Sequence, residues 1–512
     1  MVLPTTPDAA DAHRRPDSIP RSDSPAAAAI PAPEARPWRA FALLVVAYFM
    51  TIVDLTIVNV SLPTIGAKLH FSGSDLQWVV SAYGLTFGGF LLLGGRAADL
   101  LGRRRLLMIG LGVFAAGSLG GGLATTDTVL VIMRGIQGLG AAIVLPAALS
   151  IVMNIFPEGG ERNKALGIWG AAGAMGATVG LLAGGVLTRY VGWPAIFYVN
   201  VPIAVVALLL APRLVPDSRV DTARRRYDPF GALSSTGALV LAVYAISEAP
   251  RVGWDTSRTI ALLAAAAALA VAFIVIETRV EAPLLPLRLL RLSTVAGSNA
   301  VGFLLTASFY TFIFVGTLYL QEVLHYSPLR TGFAWLTASL TSVAFAGLSQ
   351  LLVTRTSPRF VMAIGTALIG GGILWATRIP VDGRFWPDLA GPFFLAGMGT
   401  AFAFIPVSIG ALAGVTERDS GVASGLLNTS QQLGGAIGVA VASSVAASRG
   451  STLALRGDSA AAALTGAYQS ALWVCGVTGL IAVPVAFLLI RRADLARADT
   501  TPVPDALTGA SS

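Results

Sequence analysis

The sequence predicts an all-α integral membrane protein of fourteen transmembrane helices, parsed as six, two and six. Three observations carry that reading. The chain of 512 residues is 55% hydrophobic and only 12% charged, about half the roughly 25% charge of a soluble domain. Its apolar residues gather into fourteen nearly charge-free runs, each close to the ~20 residues that span a bilayer. Its cations fall mostly on one side of those runs.

The first six runs lie at 40–62, 76–96, 106–125, 128–152, 164–188 and 194–212. The segment 213–228 is the longest basic connection and divides these six from the rest. Runs at 229–248 and 259–277 form an inserted pair. The last six lie at 296–320, 331–353, 359–377, 388–413, 420–447 and 468–490. Intervals such as 165–188 and 331–354 carry no charge at all. A water-soluble helix of that length shows a polar face, and a barrel strand alternates every second residue; these runs do neither. The domain reading is a tail at 1–37, a six-helix bundle at 38–212, the basic loop and extra pair at 213–295, a second bundle at 296–491, and a tail at 492–512. Both tails are polar and read as disordered and cytoplasmic. The first is not a signal peptide, because no apolar core follows a basic start before the first span.

With the N-terminus inside, 25 of the 35 Lys and Arg fall inside, nine outside, and Arg134 within a span. This agrees with the positive-inside rule and places both termini in the cytoplasm of a plasma membrane protein.

Composition also excludes functions. The net charge of +8 is spread over short loops and forms no basic face for nucleic acid. A single cysteine, Cys475, leaves no disulfide framework or thiolate metal site. His13, His70 and His325 lie too far apart to suggest a ligand set. No catalytic triad, metal set or phosphate loop appears, so neither an enzyme nor a cofactor is expected.

A charge deep in a span is costly and marks function by default. Asp54 is the only charge between Arg39 and Lys68, and Arg134 the only one between Asp127 and Glu158. On antiparallel spans they lie roughly 12 and 9 Å below the outer boundary, at similar depth and opposite in sign. Asp54 shares a face with Thr51, Val58 and Ser61; Arg134 shares one with Gln137, Gly138 and Ala141. A polar cavity between helices 1 and 4 is expected. Burial favours the neutral form of an acid and a nearby arginine the charged form, so such a site can take up and release a proton. A static ion pair that fixes packing is the alternative.

Three further patterns stand out. The connection after helix 2 holds Gly95, Asp99, Gly102, Arg103 and Arg104. Helix 5 carries Gly176, Gly180, Gly184 and Gly185, spacing that lets helices approach closely. Helix 13 carries Asn428, Gln431 and Gln432, suited either to lining a cavity with Thr51 and Asn59 or to hydrogen bonds between helices. Glu248, Glu277 and Glu322, near helix ends, read as interfacial.

Four stretches together resemble the major facilitator superfamily, in its fourteen-helix drug:proton antiporter branch. They are Asp54 to Pro63 with Asn59, Gly95–Asp99–Gly102–Arg103–Arg104, Arg134 to Gly140, and Gly421 to Gly435. Asn200-Val-Pro202 also fits. Leu100 stands where a basic residue is usual, and the helix 5 motif lacks its proline at 181–183. The resemblance implies two six-helix bundles around a central cavity, plus the inserted pair. It implies alternating access, with proton entry driving export of a small-molecule drug or natural product, by a monomer. It associates Asp54 and Arg134 with proton and substrate coupling, and Asp99 and Arg103 with gating. An importer or facilitator of a metabolite, and a membrane sensor that binds without transport, are the alternatives.

Overall fold

In the computed structural model, the described residues are 37–71, 75–156, 160–216, 228–280, 283, 288–415 and 417–490. They form fifteen α-helices and no strand. These are α1 (Pro37–Leu69), α2 (Trp78–Leu101), α3 (Arg103–Gly122), α4 (Asp127–Ile155), α5 (Gly160–Tyr190), α6 (Ala195–Tyr198), α7 (Asn200–Leu214), α8 (Pro229–Val252), α9 (Ser257–Arg279), α10 (Ser293–Leu318), α11 (Pro328–Arg355), α12 (Pro358–Ala376), α13 (Ala390–Leu412), α14 (Glu417–Leu455) and α15 (Ala460–Leu489). Every expected run falls on a helix; 194–212 falls on α6 and α7 together. The expected tails lie outside the described residues except for Pro37, which begins α1. Most of the basic loop 213–228 also lies outside them.

Among the described residues, ten segments are long and apolar enough to cross a membrane.

Helix ends follow local chemistry. Thr126 caps α4 by accepting from the Val129 amide at 3.3 Å, and Asp127 places negative charge in the first turn, where the helix dipole favours it. Asp228 caps α8 in the same way, accepting from the Gly231 amide at 2.8 Å.

Within the first seven helices, α1 packs on α5, α7 and α4, and α4 packs on α2 and α3. Among the last six, α10 packs on α13, α14 and α15, and α12 on α13 and α15. Lipid is as apolar as leucine, so close packing of small residues and hydrogen bonds hold such helices together. Gly176, Gly180 and Gly184 of α5 press against Ile52, Thr56 and Ile57 of α1. Gly434 and Gly438 of α14 press against the Phe303 and Ala307 carbonyls of α10. The pair α8–α9 packs on itself, and α8 also contacts α2 and α14. Leu85, Val243, Ala436 and Ala440 form the small core where those three helices meet.

Contacts between the two groups run along α2–α14 and α5–α11, with smaller ones from α1 to α10 and α11. At one end, Gly185 faces Pro328 and Leu329, Gly332 faces Leu181 and Leu182, and Gln321 donates to the Val60 carbonyl at 2.6 Å. Nearer the middle, Thr429 donates to the Gly88 carbonyl at 3.1 Å.

Candidate functional site: a buried acid–arginine junction

Five helices converge on Asp54. It lies near the middle of α1. Arg134 and Gln137 sit three residues apart on α4 and so share a face. Asn200 begins α7, Ser118 comes from α3, and Val79 and Tyr83 come from α2. Asp54, Arg134, Gln137, Ser118 and Tyr83 are fully buried, and Asn200 is 1% exposed.

The arginine donates in three directions. Its Nη1 reaches Asp54 Oδ2 and Gln137 Oε1, each at 2.7 Å. Its Nε donates to the Val79 carbonyl at 2.9 Å. The guanidinium lies over the Tyr83 ring, 4.4 Å from its centroid, a cation–π contact strengthened by the absence of water. Tyr83 in turn donates to the Thr51 carbonyl at 3.3 Å.

The carboxylate accepts from every side. Its Oδ1 receives Gln137 Nε2 and Asn200 Nδ2, both at 2.7 Å. Gln137 Nε2 also reaches Ser118 Oγ at 2.7 Å. Only one orientation of the Gln137 amide fits, with its oxygen toward Arg134 and its nitrogen toward Asp54. The three groups bonded to Asp54 are all donors. A protonated carboxyl would bring its own O–H into that shell and would cancel the counter-charge of Arg134. The junction therefore fits the ionised acid, and taking up a proton requires this shell to rearrange, by turning the Asn200 amide or by moving α1, α4 or α7.

The sequence places Asp54 and Arg134 at one depth, and they meet. The expected polar cavity between helices 1 and 4 is instead a closed junction, because the side chains of α2, α3 and α7 fill it. The sequence alone does not mark Asn200, Ser118 or Tyr83 as site residues. Asn200 and Ser118 are polar residues inside apolar runs, which is a usable signal; Tyr83 offers none.

The other expected residues lie elsewhere. Thr51 is buried and donates to its own helix, at the Tyr48 carbonyl, at 2.7 Å. Asn59 is buried and donates back to the Leu55 and Thr56 carbonyls. Gln432 is buried against Gly88 of α2. These three fill helix contacts and do not line open space. Asn428 and Gln431 are partly exposed; Asn428 donates to the Ser424 carbonyl at 2.9 Å.

In the expected gating loop, Gly102 has φ +95°, a conformation that favours glycine and lets α2 turn into α3. Gly95 lies beside Pro146. Arg104 donates to the Val215 carbonyl at 3.2 Å and the Pro212 carbonyl at 3.4 Å, placing a cation at the C-terminus of α7. Arg103 is half-buried. The Asp99 side chain lies outside what the structure describes. Of the acids expected at the interface, Glu277 is buried, Glu322 is half-buried and accepts from Tyr468, and Glu248 pairs with Arg258 at 3.8 Å.

The family model described as Major Facilitator Superfamily matches residues 44–439 and 299–512. The chain belongs to the major facilitator superfamily. It is a multi-pass membrane transporter, not an enzyme. It is 38% identical over 470 residues to the puromycin resistance protein pur8 of Streptomyces alboniger, covering 90% of this chain and 91% of that one. It is 36% identical over 406 residues to the cephamycin export protein CmcT of Amycolatopsis lactamdurans, covering 78% and 83%. The crystal structure of the POT family transporter PepTSo superposes with a TM-score of 0.65 at 15% identity, over 91% of this chain and 99% of that one. That likeness shows the fold.

Proposed function

We propose that this transporter is a proton-coupled antiporter that exports an antibiotic or related small natural product across the plasma membrane by alternating access. The observation that carries the proposal is the donor-only shell around Asp54. It ties the charge of one acid to the positions of α1, α4 and α7, as coupling requires. The cargo class rests on the names of the two relatives, one a puromycin resistance protein and one a cephamycin export protein.

In this reading the chain has fourteen spans, in bundles at 38–212 and 296–491 with the pair α8–α9 between them. It works as a monomer with both termini in the cytoplasm. The end holding Gln321, Gly185 and Pro328 faces outside, by the cation count, and is closed. Asp54 takes a proton when reached from outside and releases it inward, while cargo moves outward. One proton supplies about 2.3 kcal/mol per 100 mV, roughly 50-fold accumulation. No cofactor takes part.

The test is drug accumulation in cells lacking their main efflux pumps, over a panel that begins with puromycin. Wild type is expected to lower accumulation of at least one drug until an uncoupler is added, and Asp54→Asn to lose the effect at equal expression. Raised accumulation would mark uptake, and normal export by Asp54→Asn would move the proton site elsewhere.

A further inference from the structure

The helix α10 does not end as an α-helix. Residues Tyr319–Val323 form a π turn, with the Leu324 amide donating to the Tyr319 carbonyl at 3.1 Å. One extra residue per turn rotates the side chains that follow by about 100°. The turn directs two neighbouring side chains to different partners. Gln321 crosses to the other group of helices and donates to the Val60 carbonyl of α1 at 2.6 Å. Glu322 accepts from the hydroxyl of Tyr468 on α15.

The surroundings of this turn are tied into one block. Tyr319 donates to the Pro380 carbonyl at 2.6 Å, and Gln469, beside Tyr468, donates to the Ile379 carbonyl at 2.8 Å. Among these four side-chain bonds, only that of Gln321 leaves the last six helices. Its acceptor lies beside a weak point in α1, because Pro63 has no N–H for the helix ladder and its ring crowds the Asn59 carbonyl. The next contacts between the groups follow within residues 319–332, at Pro328 and Leu329 against Gly185 and at Gly332 against Leu181.

We infer that Glu322 and Tyr468 are positioning residues of the outer gate: their hydrogen bond holds the π turn that places Gln321 on the Val60 carbonyl and keeps the outer end closed. The inference rests on the alternating-access reading and adds to it the residues that latch one state. The role is that of a hydrogen-bond acceptor at Glu322, so a carboxamide serves as well as a carboxylate.

The experiment measures the gate directly, without a substrate assay. Cys475, the only cysteine, is replaced by Ala. Spin labels are placed at Val191 and Leu455, which are 71% and 89% exposed on the two groups at the same end. Their distance distribution is recorded in nanodiscs at acid and neutral pH, with and without puromycin. Tyr468→Phe, Glu322→Leu and Gln321→Leu are each expected to shift the open-to-closed ratio toward open by about tenfold, the effect of one hydrogen bond. Glu322→Gln is expected to match wild type. Combining Tyr468→Phe with Gln321→Leu should add little to either alone, since both break one latch. Tyr468→Phe removes a single oxygen, so its result stands if Glu322→Leu fails to fold. Distributions like wild type in Tyr468→Phe would overturn the inference, and so would Glu322→Gln behaving as Glu322→Leu. A wild-type distance fixed under every condition would contradict alternating access itself. The variants would still decide the latch, because its loss broadens that single distance.

Discussion

Asp54 on α1 and Arg134 on α4 meet at 2.7 Å with neither side chain exposed. Removing two charges from water costs several kcal/mol per ion, and their attraction offsets this only when the remaining polar atoms are also bonded. Here Gln137, Asn200, Ser118 and the Val79 carbonyl supply those bonds. Of these atoms, Arg134 Nη2 alone is buried without a hydrogen-bond partner, so the set is held mainly through Nε and Nη1 and is fragile to the loss of one member.

Arg134→Gln should therefore destabilise the protein by about 3–5 kcal/mol, since it leaves a buried carboxylate unpaired. Adding Asp54→Asn should recover much of that loss, as no charge then remains. Arg134→Lys should not restore function, because an ammonium lacks the planar fork that reaches Asp54, Gln137 and Val79 together. Thermal unfolding in detergent checks the order; equal stability of the single and double variants would contradict it.

Asn200 gives a second check on the same shell. Asn200→Ala removes one hydrogen bond to a charged group, a loss of about 1.5–3 kcal/mol. Asn200→Asp should be worse, since it sets a second carboxylate where a donor now lies 2.7 Å from Asp54 Oδ1. Comparing the melting temperatures of the two variants reads the difference.

Much of the junction was legible in the sequence because charge inside an apolar run is rare. Asp54 and Arg134 could be matched in depth by counting residues, and Gln137 follows from the helical period. Asn200 carried a weaker signal than the two charges, since an uncharged amide in an apolar run costs little if bonded. The closed character of the junction depends on α2 and α3 side chains such as Tyr83, which no period links to Asp54. Runs and their order were readable from hydropathy. The side chains of Thr51, Asn59 and Gln432 were not, because amide and hydroxyl groups satisfy themselves on nearby carbonyls as readily as they face a cavity.

Gly180 of α5 and Gly112 of α3 predict a graded response. A Cβ at Gly180 would meet Thr56 Oγ1 and lie 2.7 Å from the Val53 carbonyl, so Gly180→Ala should cost about 1–3 kcal/mol through overpacking. Gly112→Ala, with nothing within 4 Å of its Cβ, should be neutral or stabilising by up to ~1 kcal/mol from helix propensity. Thermal stability of both variants separates packing from propensity.

The turn between α2 and α3 offers another. Gly102→Ala forces a side chain into a backbone of φ +95°, a strain of about 1–3 kcal/mol. Arg104→Ala removes the donor to the Pro212 and Val215 carbonyls at the end of α7 and should cost less, about 0.3–1 kcal/mol. Chemical or thermal denaturation should rank Gly102→Ala as the more damaging.

The central claim is that Asp54 couples proton entry to cargo movement. Its most direct test is proton flux in proteoliposomes carrying the purified protein, with an imposed pH gradient and an internal pH dye. Puromycin, or whichever drug of the panel is exported, should accelerate proton movement in wild type. Asp54→Asn should abolish that drug-dependent flux. Drug-dependent proton flux persisting in Asp54→Asn would contradict the account and leave the Asp54–Arg134 pair as a packing element.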